Sequence, residues 1–166
     1  MSQRDHDLLH ARLAEMVQLQ MRVHSHPGAR LGTMKARLRT NIQAATILGE
    51  ARRHSLLDRL TALPDGDRLC HGDFHPWNIM GPPGQELLLD WLDACCGEPA
   101  ADVCRSYVLM RPHLPDFATE YVDRYSAASG VSREGILRWL PCVAAARISE
   151  GVPDQVDSLI AMVDSM

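Results

Sequence analysis

No stretch of this sequence approaches the roughly 18 consecutive apolar residues that a membrane-spanning helix needs. The N-terminus, Met1-Ser2-Gln3-Arg4-Asp5-His6-Asp7, is polar where a secretory signal carries an apolar core. A positive excess is also lacking: the net charge is −4 and the pI about 6.0, which gives no electrostatic footprint for nucleic acid or an anionic membrane surface. No two cysteines stand in C-x-x-C spacing. The five (Cys70, Cys95, Cys96, Cys104, Cys142) are an odd number, and adjacent Cys95 and Cys96 cannot easily bridge each other. A disulfide framework is therefore not expected, and reduced thiols in a cytoplasmic protein are. Lysine is almost missing, since of 17 Lys and Arg residues only Lys35 is a lysine, and the eleven glycines form no G-x-G-x-x-G. Internal repeats, low-complexity tracts and interdomain linkers are absent as well.

What remains is ordinary globular composition: 166 residues, 46% hydrophobic and 23% charged, enough for one domain with a real core. The first third has helical periodicity. Leu9, Leu13, Met16, Leu19 and Val23 form one apolar stripe, closed by His26-Pro27-Gly28. Thr33 is placed to cap a second helix with Met34, Leu38, Ile42 and Ala45 inward, and a third spans 50–63 with Leu56, Leu57, Leu60 and Leu63 inward, before a turn at Pro64-Asp65-Gly66. The middle changes character. Residues 68–71, 78–80 and 86–89 are short and extended, and Gly81-Pro82-Pro83-Gly84 suits a turn between the last two. Helices return over 102–111, 115–128 and after Ser132, where Pro141 must interrupt, and over 153–164. The expected fold class is α+β, mainly α, with a small central β insertion.

The densest cluster of functional groups lies in that insertion: His71-Gly72-Asp73-Phe74-His75-Pro76-Trp77-Asn78, then Leu89-Asp90-Trp91-Leu92-Asp93. Phosphoryl transfer needs a carboxylate beside the attacking hydroxyl and oxygen ligands that hold Mg²⁺ against the nucleotide phosphates. Kinases meet this need with H-x-D-x-x-x-x-N on a loop and a metal-binding Asp after the next strand. Asp73, Asn78 and Asp90 have that spacing and order.

H-G-D-F-H-P-W-N-I, followed by L-L-L-D-W-L-D-A and G-E-P-A-A-D-V, resembles the aminoglycoside phosphotransferase (phosphotransferase enzyme) family, whose fold is distantly related to protein kinases and choline kinases. L-P-D-G-D-R-L-C upstream and W-L-P-C-V-A-A-A-R-I-S-E-G near the end extend the resemblance over nearly the whole chain, as the C-terminal lobe of that family. The resemblance implies a protein-kinase-like C-terminal lobe over residues 1–166, and a transferase acting on a hydroxyl of a small molecule with ATP and Mg²⁺. It implies Asp73 as the catalytic carboxylate, Asn78 and Asp90 as Mg²⁺ ligands, and Met80 and Leu89 beneath the adenine. His71 would brace the loop, and Asp102 would start a helix and hold the loop from behind.

A complete member of that family also has an N-terminal β lobe with a phosphate-covering loop and a strand lysine. Lys35 lies on an expected helix and is expected to be a solvated surface charge, so the N-terminal lobe is expected to be absent from this polypeptide. Charge-assisted phosphate contacts contribute roughly 1.5–3 kcal/mol each, so weak or no activity is expected of the isolated lobe. Self-association, or a separate polypeptide supplying the lobe, would complete it.

Three other readings are open to the sequence. His71-x-Asp73-x-His75 has the alternation of a metal site, with His113 and Asp116 as further ligands, but does not read as a regular strand. Asp116, Glu120 and Asp123 would attract a cationic substrate, although a solvated helix face is the better account of them. The third is a non-catalytic lobe that serves as a binding or partner module.

Overall fold

The computed structural model describes residues 3–82 and 84–165, with side chains described from residue 12 onward. Three helices come first: α1 (Gln3–His24), α2 (Met34–Ala44) and α3 (Glu50–Ala62). Along α1, Leu13, Met16, Val17, Leu19, Gln20, Val23 and His24 are buried, following the expected stripe; Leu9 lies outside the described side chains. Thr33 caps α2 by accepting a hydrogen bond from the Ala36 amide at 3.2 Å, and Met34, Leu38, Ile42 and Ala45 face inward as expected.

The β insertion consists of β1 (Arg68–Cys70), β2 (Ile79–Met80), β3 (Leu87–Leu88) and β4 (Cys95–Gly97). β2 and β3 form a short antiparallel hairpin with Ile79 opposite Leu88 and Met80 opposite Leu87. β1 pairs antiparallel with β4, Cys70 opposite Cys95. The 95–97 strand was not foreseen: three small residues before Pro99 carry no periodicity, and their pairing partner lies far away in sequence. The segment 26–33 runs along this pair, with Leu69 N donating to His26 O at 2.9 Å and Cys96 N to Gly32 O at 2.9 Å. All five cysteines are free thiols.

Behind the insertion stands α4 (Pro99–Met110), buried from Ala100 through Met110. Proline at its first position is preorganised for a helix and has no amide to leave unpaired. Asp102 therefore lies within the first turn rather than at the start of a helix. That corrects the expected boundary: the capping position belongs to Glu98. Around α4 pack α5 (Pro115–Ser129), α6 (Arg133–Leu137) and α7 (Leu140–Ile148), and α8 (Val156–Asp164) packs on α7. Ser132 caps α6 through the Gly135 amide, and Pro141 falls at the start of α7, which separates the two helices. No helix is long and apolar enough to cross a membrane among the described residues.

Lys35 departs from its expected role. Its side chain is only 17% exposed and pairs with Asp65 at 3.0 Å, while its ammonium donates to the carbonyls of Thr61 and Leu63. It caps the end of α3, where a cation meets unpaired carbonyls and the negative end of the helix dipole.

Candidate active site

β1 delivers the chain at Cys70 into the loop 71–75, a short 3₁₀ turn at Pro76–Asn78 follows, and β2 leads away. Asn78 Nδ2 donates to Asp73 Oδ2 at 3.0 Å and to Asp73 O at 2.9 Å. With its amide hydrogens bound to Asp73, Asn78 presents its Oδ1 acceptor away from that residue. His75 Nε2 stands 3.3 Å from Asp73 Oδ2. Facing a carboxylate, this nitrogen carries a hydrogen. The His75 contact, ahead of the opposing effect of partial burial, lowers the Asp73 pKa to about 2, with smaller help from Arg105 and Asn78. Asp73 is thus an ionised acceptor at neutral pH.

The second motif meets the first through its backbone. Leu89 N donates to Asn78 O at 2.8 Å, and His71 Nε2 donates to Leu89 O at 2.9 Å. Asp90 follows at once, exposed, in a left-handed conformation with φ 57°, a region that Asp tolerates better than most residues. A 3₁₀ turn, Trp91–Asp93, then leads to β4. The two loops lie side by side. Asp73, Asn78 and Asp90 supply hard oxygen donors, and the chemistry of that set fits Mg²⁺.

His71 is fully buried. Its Nδ1 accepts from the Asp73 amide at 3.2 Å while Nε2 donates to Leu89, and its ring meets Trp91 edge-on at 4.7 Å. Both nitrogens are engaged, so His71 is not available to an alternating His71-Asp73-His75 metal site. Among the described residues, the group of metal-capable side chains is a different one: His24, Cys70 and Asp102, all buried.

Asp102 supports the loop from below. It accepts from the His71 amide at 3.1 Å, the Gly72 amide at 2.8 Å and Gln20 Nε2 at 2.9 Å. His24 Nε2 lies 3.0 Å from the same carboxylate and His24 Nδ1 lies 2.7 Å from Tyr125 Oη. Complete burial alone would raise the Asp102 pKa, but the hydrogen bonds from His24, Gly72 and Gln20 outweigh it and hold the group below its usual range.

Of the apolar residues expected near a nucleotide base, Met80 is 57% exposed and Leu89 39%. Met80 also lines a groove of about 500 Å³ between α1, the β2–β3 hairpin and α5, whose walls include Met16, Leu19, Ile79, Leu114 and Phe117. On α5, Glu120 pairs with Arg124 at 2.7 Å and Asp123 with Arg133. Sequence patterns did not reveal the arginines beneath the loops. Arg105 Nε donates to Gly72 O at 2.6 Å, and Arg37 reaches both loops from α2. Neither belongs to a local motif, and only the folded chain brings them there.

The family model for the phosphotransferase enzyme family matches residues 2–138. The chain belongs to the phosphotransferase enzyme family. Among solved structures it is similar to choline kinase LicA from Streptococcus pneumoniae, with a TM-score of 0.68 and 17% identity, covering 94% of this chain and 64% of that one. The likeness places the fold of this phosphotransferase-family chain with the protein-kinase-like folds, and the chain spans less than two thirds of the choline kinase. Comparison with curated proteins gives no match.

Proposed function

We propose that this chain carries the acceptor and metal side of a small-molecule kinase centre, for transfer of a phosphoryl group from ATP to an alcohol. The observation that carries this reading is the pair of links through Asn78, whose side chain binds Asp73 and whose carbonyl binds Leu89. Through them the loop that carries Asp73 is joined to the strand end that leads into Asp90.

Asp73, kept ionised by His75, would accept the hydrogen of the substrate hydroxyl and aim its oxygen at the phosphorus. With a pKa of about 2 it is too weak a base to remove the proton early, which suits a transition state in which the nucleophile stays largely protonated until late. Asn78 and Asp90 would hold Mg²⁺, which when bound neutralises phosphate charge. Met80 and Leu89 would support the base. His71 and Asp102 keep the loop in place without touching substrate.

A nucleotide-covering lobe would complete such a centre, and the exposed apolar side chains of the hairpin are the surface it would meet. Aminoglycosides, and choline by analogy with the structural neighbour, are acceptors to assay. Calorimetry with ATP should show weak binding that requires Mg²⁺ and disappears in Asp90→Ala. Equal binding with and without Mg²⁺ would remove the metal role.

A second reading, a non-catalytic partner module, is favoured by the exposure of Met80, Leu87 (66%) and Leu92 (93%) around the hairpin and the following turn. It expects no nucleotide binding at any practical concentration.

A further inference from the structure

The two loops that carry Asp73 and Asp90 meet at Gly72 and Asp93, one residue before the first acid and three after the second. Gly72 has φ +79°, and a Cβ there would lie 2.2 Å from Asp93 O and 2.8 Å from Arg37 Nη1. Only glycine permits this approach. Both backbone carbonyls there are directed at cations. Arg37 Nη1 donates to Asp93 O at 2.6 Å, and its Nη2 to Asp93 Oδ2 at 3.1 Å and Gly72 O at 3.3 Å. Arg105 donates through Nε to the same Gly72 carbonyl and is itself gripped by both oxygens of Glu150 at 2.7 and 3.0 Å.

We propose that Arg37 is a positioning residue whose guanidinium clamps the Asp73 loop to the Asp90 loop and so fixes the spacing of the two carboxylates. The proposal rests on the phosphoryl-transfer reading for its functional consequence, and on the geometry alone for the clamp. Two carbonyl dipoles and a carboxylate crowded together repel one another, and one planar fork satisfies all three. Arg105, buried and tied into Glu150, anchors the floor of the junction and reaches Asp93 Oδ2 only at 3.7 Å. Arg37, with a quarter of its side chain exposed, sits at the rim of the same junction on a helix that supplies none of the motif residues. A lysine would reach one acceptor where the fork reaches three.

The test compares the wild-type chain with Arg37→Met, Arg37→Lys and the control Arg39→Gln on the same helix. Two readouts are used: amide hydrogen exchange, and binding of Mn²⁺ with ATP. In Arg37→Met, exchange should rise about tenfold or more in segments 71–75 and 91–94 but not in α4 or α7. Metal–nucleotide affinity should fall about 10- to 100-fold, the usual effect of removing an outer support of a metal site. Arg37→Lys should fall between, and Arg39→Gln should match the wild type. Unchanged exchange in both loops, or a uniform rise across all helices, would overturn the clamp. Should Arg37→Met not fold, Asp93→Asn, which keeps the backbone acceptor and removes the ion pair, should give the same changes at smaller size, and no change there would overturn the proposal. If the wild-type chain binds no metal–nucleotide, the phosphoryl-transfer reading falls, and the exchange data still decide the clamp.

Discussion

Asp102 bears more of the site than any single residue that would touch substrate. One fully buried carboxylate takes hydrogen bonds from two consecutive backbone amides of the loop and from Gln20, with His24 beside it. Removing it would strand the His71 and Gly72 amides without water to replace the lost acceptor. Asp102→Ala should therefore lower stability by about 3 kcal/mol or more, as measured by urea unfolding. A loss under about 1 kcal/mol would show that the loop does not depend on it. At Asp73 the sign of the pH effect follows from the lowered pKa. The folded value of about 2 lies below the ordinary 3.8, so the contribution is fully present above pH 3.8 and is lost as pH falls through about 2. Asp73 is half-buried, so the size of that contribution is screened by solvent. His75→Gln should return the Asp73 titration, followed by carboxyl NMR, toward its ordinary value. An unmoved titration would exclude His75 as the cause.

At the level of elements, the helices were legible because burial repeats along them. Thr33 followed by Met34, Leu38 and Ile42 announces both the cap and the inward face of α2, and Pro141 announces the break before α7. Thr33→Ala should cost about 1 kcal/mol in unfolding free energy, and no loss would mean the cap contributes nothing. The spacing of Asp73, Asn78 and Asp90 was legible for the same reason: it is local. Non-local elements were not. β4 exists because Cys95–Gly97 meets β1, and Lys35 is half-hidden because it meets the end of α3; neither partner lies nearby in sequence. The true start of α4 was marked by Pro99, while Asp102 drew attention further along. Gly72→Ala should combine a positive-φ penalty with a collision against the Asp93 carbonyl. It should therefore loosen the junction of both loops, seen as faster amide exchange there, while the helices keep their protection. Unaltered exchange would show that the close approach is dispensable.

On the scale of the whole molecule, α4 acts as a buried post. The loop 71–78 hangs from its first turn, α1 and α5 join it through the Asp102–His24–Tyr125 contacts, and α7 closes the other side. This arrangement sets the two motif loops side by side. In the proposed function, Asp73, Asn78 and Asp90 meet around a single divalent cation. Titrating the chain with Mn²⁺ and ATP while recording amide NMR signals tests it most directly, because a paramagnetic ion broadens its nearest neighbours first. The signals of residues 73, 78 and 90 should disappear together at the lowest Mn²⁺ concentration, and Asp90→Ala should abolish that effect. Broadening centred on the acidic face of α5, or reaching only one of the two loops, would contradict it.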